Sequence, residues 1–432
     1  MIHYLRYCCA MCFALISFLL APPLSAQAQT REAYVAQSAD TTTLTFYYDA
    51  LRSTRTGTTW GIEETKKEGD DTIPAWAGTW DEADYTTLRV VFDASFRDFR
   101  PTTTAMWFYR CKALEQIEGL EYLNTSEVKD MSGMFADCES LTSLDLKNFN
   151  TQNVTDMGGM FHKCYELTSL DLKNFNTQNV TAMVGMFSGC AALTSLDLKN
   201  FNTQNVTDMS GMFADCSALT SLDLQHFNTQ NVTDMVAMFS GCTSLTSLDL
   251  KNFNTQNVTD MGHMFLGCTS LTSIDLKNFN TQNVTDMVAM FNDCAALTSL
   301  DLKNFNTQNV TAMRGMFSGC TSLTSLDLKN FNTQNVTDMA FMFSDCTELT
   351  SLDLKNFNTR KVAYMYEMFS GCAALRTINS NTTWQCKESK DMFAGCTKLK
   401  GAVAYDKNKV DAKMANPIKG YFTAKPTTVK NR

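Results

Sequence analysis

The chain has 432 residues, a formal charge of −9, 16 cysteines and a hydrophobic fraction of 44%. Its acidity argues against nucleic acid or an anionic membrane as partner, since both bind proteins mainly through basic residues. The apolar fraction is ordinary for a folded protein and excludes a largely disordered chain.

In chain order, residues 1–28 read as a secretory signal. Arg6 precedes an apolar stretch from Ala10 to Ala21, then Pro22-Pro23 and the small-residue site Ala26-Gln27-Ala28. The stretch is too short for a membrane span with a stop-transfer sequence. Its removal takes the formal charge from −9 to −10 and leaves no later membrane-spanning segment. The expected location is outside the producing cell, either secreted or on a bacterial cell surface.

Residues 29–113 are expected to form an N-terminal capping region. Leu44–Tyr48 and Leu88–Phe92 read as strands, with Trp60, Trp76 and Trp80 between them. A divergent repeat fills 114–140. Nine regular repeats then run from 141 to 374 at a fixed period of 26, marked by Leu144, Leu170, Leu196, Leu222, Leu248, Ile274, Leu300, Leu326 and Leu352. Residues 375–432 hold a truncated repeat and a C-terminal cap. A period of this length specifies a solenoid, in which each copy buries its apolar face against its neighbours.

One repeat, Leu193 to Ala218, shows the expected unit. Leu193, Leu196 and Leu198 follow the Leu-x-x-Leu-x-Leu spacing of a leucine-rich-repeat strand, with Ser195, Asp197 and Lys199 outward. Asn202–Asn205 is a polar turn. Met209, Met212, Phe213 and Cys216 are spaced i, i+3, i+4, i+7, the stripe of a short helix or 3₁₀ turn, with Thr207 or Asp208 at its start. The fold class is therefore α/β: a single leucine-rich-repeat solenoid with a parallel strand and a short helical segment per repeat, closed by caps that hold all five tryptophans. Like residues stack into columns of Leu, Phe, Met and Cys. Thirteen cysteines remain after the signal, and the regularly spaced ones read as a column of buried thiols. Cys386 breaks the register and is the best candidate for a reactive or paired thiol, with Cys396 as the possible partner.

The residues Leu-Thr-Ser-Leu-Asp-Leu, Phe-Asn-Thr, Asn-Val-Thr-Asp-Met, Met-Phe and Cys, in that order, resemble the BspA-like leucine-rich-repeat surface proteins of bacteria. The lead-in Leu88–Phe96 and the close Lys419–Thr423 resemble that family as well. The resemblance implies an exported, surface-associated protein, with adhesion to host proteins or other bacteria among the activities of some members. It implies no catalysis and transfers no binding residues.

No chemistry is legible in the chain. His162, His226 and His263 occupy three different repeat positions, and no metal-site, nucleophile-elbow or phosphate-loop motif occurs. No cofactor is expected. The sharper feature is the outward strand face, where an Asp column and a Lys column run side by side. The candidate ligand face is Asp145, Lys147, Asp171, Lys173, Asp197, Lys199, Asp249, Lys251, Asp275, Lys277, Asp301, Lys303, Asp327 and Lys329; Gln225 interrupts the Lys column. A regular charged lattice could engage an extended or repetitive partner by many weak contacts, a host extracellular matrix protein or a bacterial surface protein. The competing reading is a self-compensated solvated face on a structural stalk or coat. The repeats differ mainly at Val184-Gly185, Gly262-His263, Arg314-Gly315, Ala340-Phe341 and Tyr366-Glu367, around the expected helical stripe.

Overall fold

A computed structural model describes residues 30–424, so the signal-like segment lies outside the described residues. The two expected N-terminal strands form. β1 (Glu32–Gln37) pairs antiparallel with β2 (Thr43–Asp49), setting Val35 opposite Phe46, and with β3 (Thr59–Gly61). β4 (Thr65–Glu68) and β5 (Asp71–Pro74) make a separate hairpin. The sheet turns parallel where β2 meets β6 (Arg89–Phe92) and β6 meets β7 (Gln116–Glu118). Phe46 centres the core of this region, its ring 4.6–5.8 Å from those of Phe92, Phe96, Trp76, Trp107 and Phe108. Phe108 in turn stacks on Phe135 at 5.5 Å, which joins this core to the repeat columns without a break.

The expected short helix does not form. The described residues contain no α-helix, and their only 3₁₀ segments lie outside the nine regular repeats. Each stripe is instead a run of β-turns with two left-handed residues four apart. In the 131–138 segment these are Gly133 (φ 58°) and Asp137 (φ 59°). The amides of Met134, Ala136 and Cys138 donate to the carbonyls of Met131, Gly133 and Phe135, three residues back. The alternate amides, of Met131, Gly133, Phe135 and Asp137, donate at 2.7–3.0 Å to Asp156, Gly158, Met160 and His162 of the next coil. Half the amides thus close turns and half tie coil to coil. A helix would spend all of them internally and leave the stack joined by packing alone. Turns with positive φ at a central position produce nearly the same apolar spacing, because the Met, Phe and Cys side chains still fall on one face.

The leucine segments differ from expectation as well. No regular strand is present from 141 to 350; pairing resumes only between β8 (Ser351–Asp353), β9 (Thr377–Asn379) and β10 (Phe422–Thr423), all parallel. The coils are tight on the turn side, where the phenylalanine rings from Phe108 to Phe393 stack at 5.5–5.9 Å. Phe149 and Phe175, beyond the leucine segment, are 6.5 Å apart.

Side chains supply the missing rungs. From Thr125 to Thr333 a threonine in each coil donates its hydroxyl to the next coil's Asn carbonyl at 2.9–3.1 Å and accepts that residue's amide at 2.7–2.8 Å. These threonines are at most 1% exposed. Asn153, Asn179 and Asn205 extend amide donors back one coil, to the carbonyls of Ser126, Gln152 and Gln178. Within the stack, Cys138 to Cys372 and Cys396 donate their thiols to a phenylalanine carbonyl of the preceding coil at 3.0–3.2 Å. The cysteine column is therefore a hydrogen-bond ladder as well as packing. Cys386 and Cys396 are both free thiols, so the pair is not formed.

Both ends satisfy the groups that a further coil would have met. At the first coil Trp76 Nε1 donates to the Trp107 carbonyl at 2.8 Å, and the Gly78 amide to Tyr109 at 2.9 Å. At the last, the Phe393 amide donates to Val410 and the Gly395 amide to the Tyr405 hydroxyl. Trp384 lies flat on Phe357 at 6.1 Å and meets Phe422 edge-on at 4.8 Å.

Candidate functional site

The Asp and Lys positions singled out in the sequence come together as nearest neighbours within each coil, not across coils. Lys147 Nζ lies 2.6 Å from Asp145 Oδ2, and the pairs Lys173–Asp171, Lys199–Asp197, Lys251–Asp249, Lys277–Asp275, Lys303–Asp301 and Lys329–Asp327 close at 2.5–2.9 Å. The other carboxylate oxygen accepts the amide of the same lysine, at 3.2 Å in the first pair. Asp here ends the leucine segment as a side-chain turn, and the lysine folds back over it. The lysine side-chain hydrogen bond, then the lysine amide, hold each carboxyl below the usual aspartate range. All these side chains are about half exposed or more. The face is thus a row of closed, solvated ion pairs of alternating sign, each individually weak.

A second carboxylate column went unrecognised in the sequence except as a possible helix cap. Asp130, Asp156, Asp208, Asp234, Asp260, Asp286 and Asp338 open the turn runs and are bridged coil to coil, with Ala182 and Ala312 interrupting and Tyr364 and Glu388 continuing the column. Each of these aspartates caps the amide two residues on, at 2.7–2.9 Å. Ser210 Oγ bonds both Asp208 and Asp234. The side chains are half-buried. Burial first, then the neighbouring carboxylates, push Asp156 and Asp260 above the ordinary value. The signal for this column was present in the repeated Thr-Asp-Met, read as a helix start.

Three of the five variable pairs, Arg314-Gly315, Ala340-Phe341 and Tyr366-Glu367, each bring a residue to one cluster near the column's C-terminal part. Arg314 lies over Phe341 (5.0 Å) and Tyr366 (5.2 Å), donates to the Tyr366 hydroxyl, and sits 3.7 Å from Asp338. Tyr364 and Tyr366 meet edge-on at 6.2 Å.

Shallow concavities are found toward the two ends of the stack. One of about 650 Å³ is lined by Trp384, Cys386, Lys387, Ser389, Lys413, Asn416 and Lys419 among others. Among the described residues no group of three or more His, Cys, Asp or Glu side chains is placed to hold a metal ion. None of their helices is long and apolar enough to cross a membrane.

The model of the family described as "Mycoplasma protein of unknown function, DUF285" matches residues 102–221, 191–301 and 294–405. No curated protein matches the chain. Among solved structures, a leucine-rich repeat protein from Bacteroides ovatus ATCC 8483 is 19% identical over 86% of this chain and 92% of its own, with a TM-score of 0.40. A leucine rich cell surface protein from Faecalibacterium prausnitzii A2-165 is 18% identical over 84% and 96%, with a TM-score of 0.34. A leucine-rich repeat protein of T. pallidum is 18% identical over 55% and 87%, with a TM-score of 0.29.

Proposed function

The chain belongs to the DUF285 family, whose BspA-like repeats its sequence resembles, and from that premise we propose that it is an exported, non-catalytic binding scaffold. It holds a stiff, repetitive surface outside the cell for a host matrix protein or a bacterial surface protein. The observation that carries this reading is the recurrence of one outward Asp–Lys pair at the end of the leucine segment, Asp145-Lys147 and its successors, broken by Gln225 in one coil, on a stack tied together by amide, threonine and cysteine rungs. Regular spacing lets individually weak contacts add by avidity. The proposed division is a signal at 1–28, capping regions at 29–113 and 375–432, and the solenoid at 114–374. The test is saturable binding of the folded chain to an immobilised panel of matrix proteins and whole bacteria; folded chain that binds nothing on such a panel overturns it.

A second reading, a structural stalk or surface coat, is favoured by one observation: each lysine on the strand face is closed onto its own aspartate, which leaves little net charge to recruit a ligand. Under that reading, reversing the Asp and Lys columns has no effect on any interaction of the producing cell, whereas shortening the stack does.

A further inference from the structure

The concavity of about 650 Å³ lies in the C-terminal cap, between the segment that follows β9 and the segment that precedes β10. Two hydrogen bonds hold its walls together. The Trp384 amide donates to the Ala415 carbonyl at 3.0 Å, and the Ala412 amide to Ser389 Oγ at 3.1 Å. The site is therefore built by the cap fold rather than by mobile surface side chains.

Its charge opposes that of the chain. Lys387, Lys413 and Lys419 line it, against the single carboxylate of Asp411, in a protein of formal charge −9. Asp411 caps the Lys413 amide at 2.9 Å and lies 3.6 Å from the Lys413 ammonium. Among the described residues no carboxylate stands within ion-pair distance of Lys387 or Lys419.

Two buried donors in the same lining are unspent. Asn416 is 8% exposed, and its Oδ1 accepts the amides of Ile418 at 2.8 Å and Lys419 at 3.2 Å. Those two bonds fix which way the carboxamide faces, and its Nδ2 donates to no described residue. Trp384 is 1% exposed, and its Nε1 has no partner either. Buried polar groups are nearly always partnered, so two idle donors in one lining point to an acceptor from outside, met directly or through a water.

The chemistry of that acceptor follows from what the lining offers. Lysine ammonium and amide N–H groups only donate, which selects an anionic oxygen ligand. Trp384 is the only aromatic residue of the lining, and it is packed flat on Phe357, so no ring face is open for a sugar to stack on. Ile418 stands on the turn between Asn416 and Lys419 and is 83% exposed, more than any other large apolar side chain described. A carboxylate with an apolar neighbour matches both features.

We propose that this concavity is a binding site for a carboxylate of an acidic polypeptide segment, with an apolar residue of the same segment against Ile418. Lys387 and Lys419 supply the counter-charge and Asn416 Nδ2 a directed hydrogen bond. The inference goes beyond the scaffold reading above, because the site lies in the cap and not on the repeats.

The test uses the full chain and a fluorescent peptide of repeating glutamate, leucine and glycine, read by anisotropy. A lysine-leucine-glycine peptide and an array of uronic-acid oligosaccharides stand beside it. Binding of the acidic peptide is expected to saturate, to weaken with salt, and to protect Cys386, a half-buried thiol of the same lining, from a thiol reagent. Asn416→Asp keeps the acceptor of both loop amides and replaces the free donor with negative charge. Affinity should fall about tenfold or more, the loss of one charge-assisted hydrogen bond, while the melting midpoint stays near wild type. Lys387→Gln with Lys419→Gln should weaken binding as much. Lys398→Gln with Lys407→Gln removes the same charge from exposed positions outside the lining and should have little effect. Ile418→Ser should weaken the leucine-bearing peptide and not a glutamate-glycine one.

Four results overturn the proposal: no binding of the acidic peptide, equal losses from the two lysine pairs, folded Asn416→Asp that binds as wild type, or capture of uronic-acid oligosaccharides in place of the peptide. Removing 26-residue units should leave affinity for the peptide unchanged. If the peptide fails to bind while the chain still binds matrix proteins, the cap site is refuted and the scaffold reading stands.

Discussion

The threonine rungs invite the sharpest perturbation. Thr229 is fully buried; its hydroxyl donates to the Asn254 carbonyl at 2.9 Å and accepts the Asn254 amide at 2.8 Å. Thr229→Val preserves shape and removes both bonds. Each is worth about 0.5–1.5 kcal/mol net, and a partner left unsatisfied adds to that. Asn254 is itself exposed, so water relieves part of the penalty. The expected cost is about 1.5–3 kcal/mol, from two lost bonds partly replaced by solvent. The matched control is Thr233→Val: that threonine is exposed, its hydroxyl makes one bond at 3.2 Å to Thr207, and the same carbonyl already accepts the Thr233 amide. It should cost less than about 0.5 kcal/mol. Long repeat arrays need not unfold in one step, so the assay is amide hydrogen exchange at Asn254. Its protection should drop about ten- to a hundredfold in Thr229→Val, at 1.4 kcal/mol per factor of ten, and stay near wild type in Thr233→Val. Equal effects of the two substitutions, or unchanged Asn254 protection, would refute the rung account.

Gly241→Ala should be markedly destabilising, because Gly241 has φ 70° and a β-carbon there would overlap Asp215 Oδ1; Asp215→Gly should recover part of the loss, measured by a double-mutant cycle. Native thiol labelling should be confined to Cys386, the only half-exposed thiol among those described, with thirteen reacting once the mature chain is denatured. Burial drives the Cys268 thiol up to about 12, so slow labelling of the column is expected from chemistry as well as access. For pH, Asp260 is raised above the usual 3.8, so its ionisation opposes folding, and the stability it contributes in acid is lost as pH rises through its folded value. Asp260→Asn, which keeps the cap, should therefore raise the melting midpoint at neutral pH, with the gain vanishing below the ordinary aspartate range. The Lys-paired aspartates run the other way: their lowered values contribute stability above the ordinary range that is lost as pH falls through the folded values.

The columns of the core were legible because a 26-residue period forces like onto like: Leu193, Phe213, Met212 and Cys216 are all buried where the repeat places them. The backbone path between them was not. Met209, Met212, Phe213 and Cys216 satisfy helical spacing, and only Gly211 and Asp215, both at positive φ, betray the turns. A glycine four residues before an aspartate or another glycine, recurring at one register, was the available sign of paired left-handed positions. A related sign is that Asp215, Asp293 and Asp345 are each followed one coil later by glycine, at 241, 319 and 371, because the carboxyl lies where a β-carbon would stand. For the candidate face, sequence showed the two charged columns but not that each lysine folds onto its own aspartate, since outward alternation says nothing about a turn that begins at Asp197. The second aspartate column was invisible as a surface because its members were assigned to helix starts.

The central claim, that binding is a property of the repeated surface, is tested most directly by affinity as a function of repeat number. Chains shortened by whole 26-residue units within 141–374, checked for folding, should bind an immobilised matrix protein or bacterial surface recognised by the full chain with affinity that falls steadily as units are removed. Affinity that is unchanged until one particular unit is lost, or unchanged throughout, would contradict it.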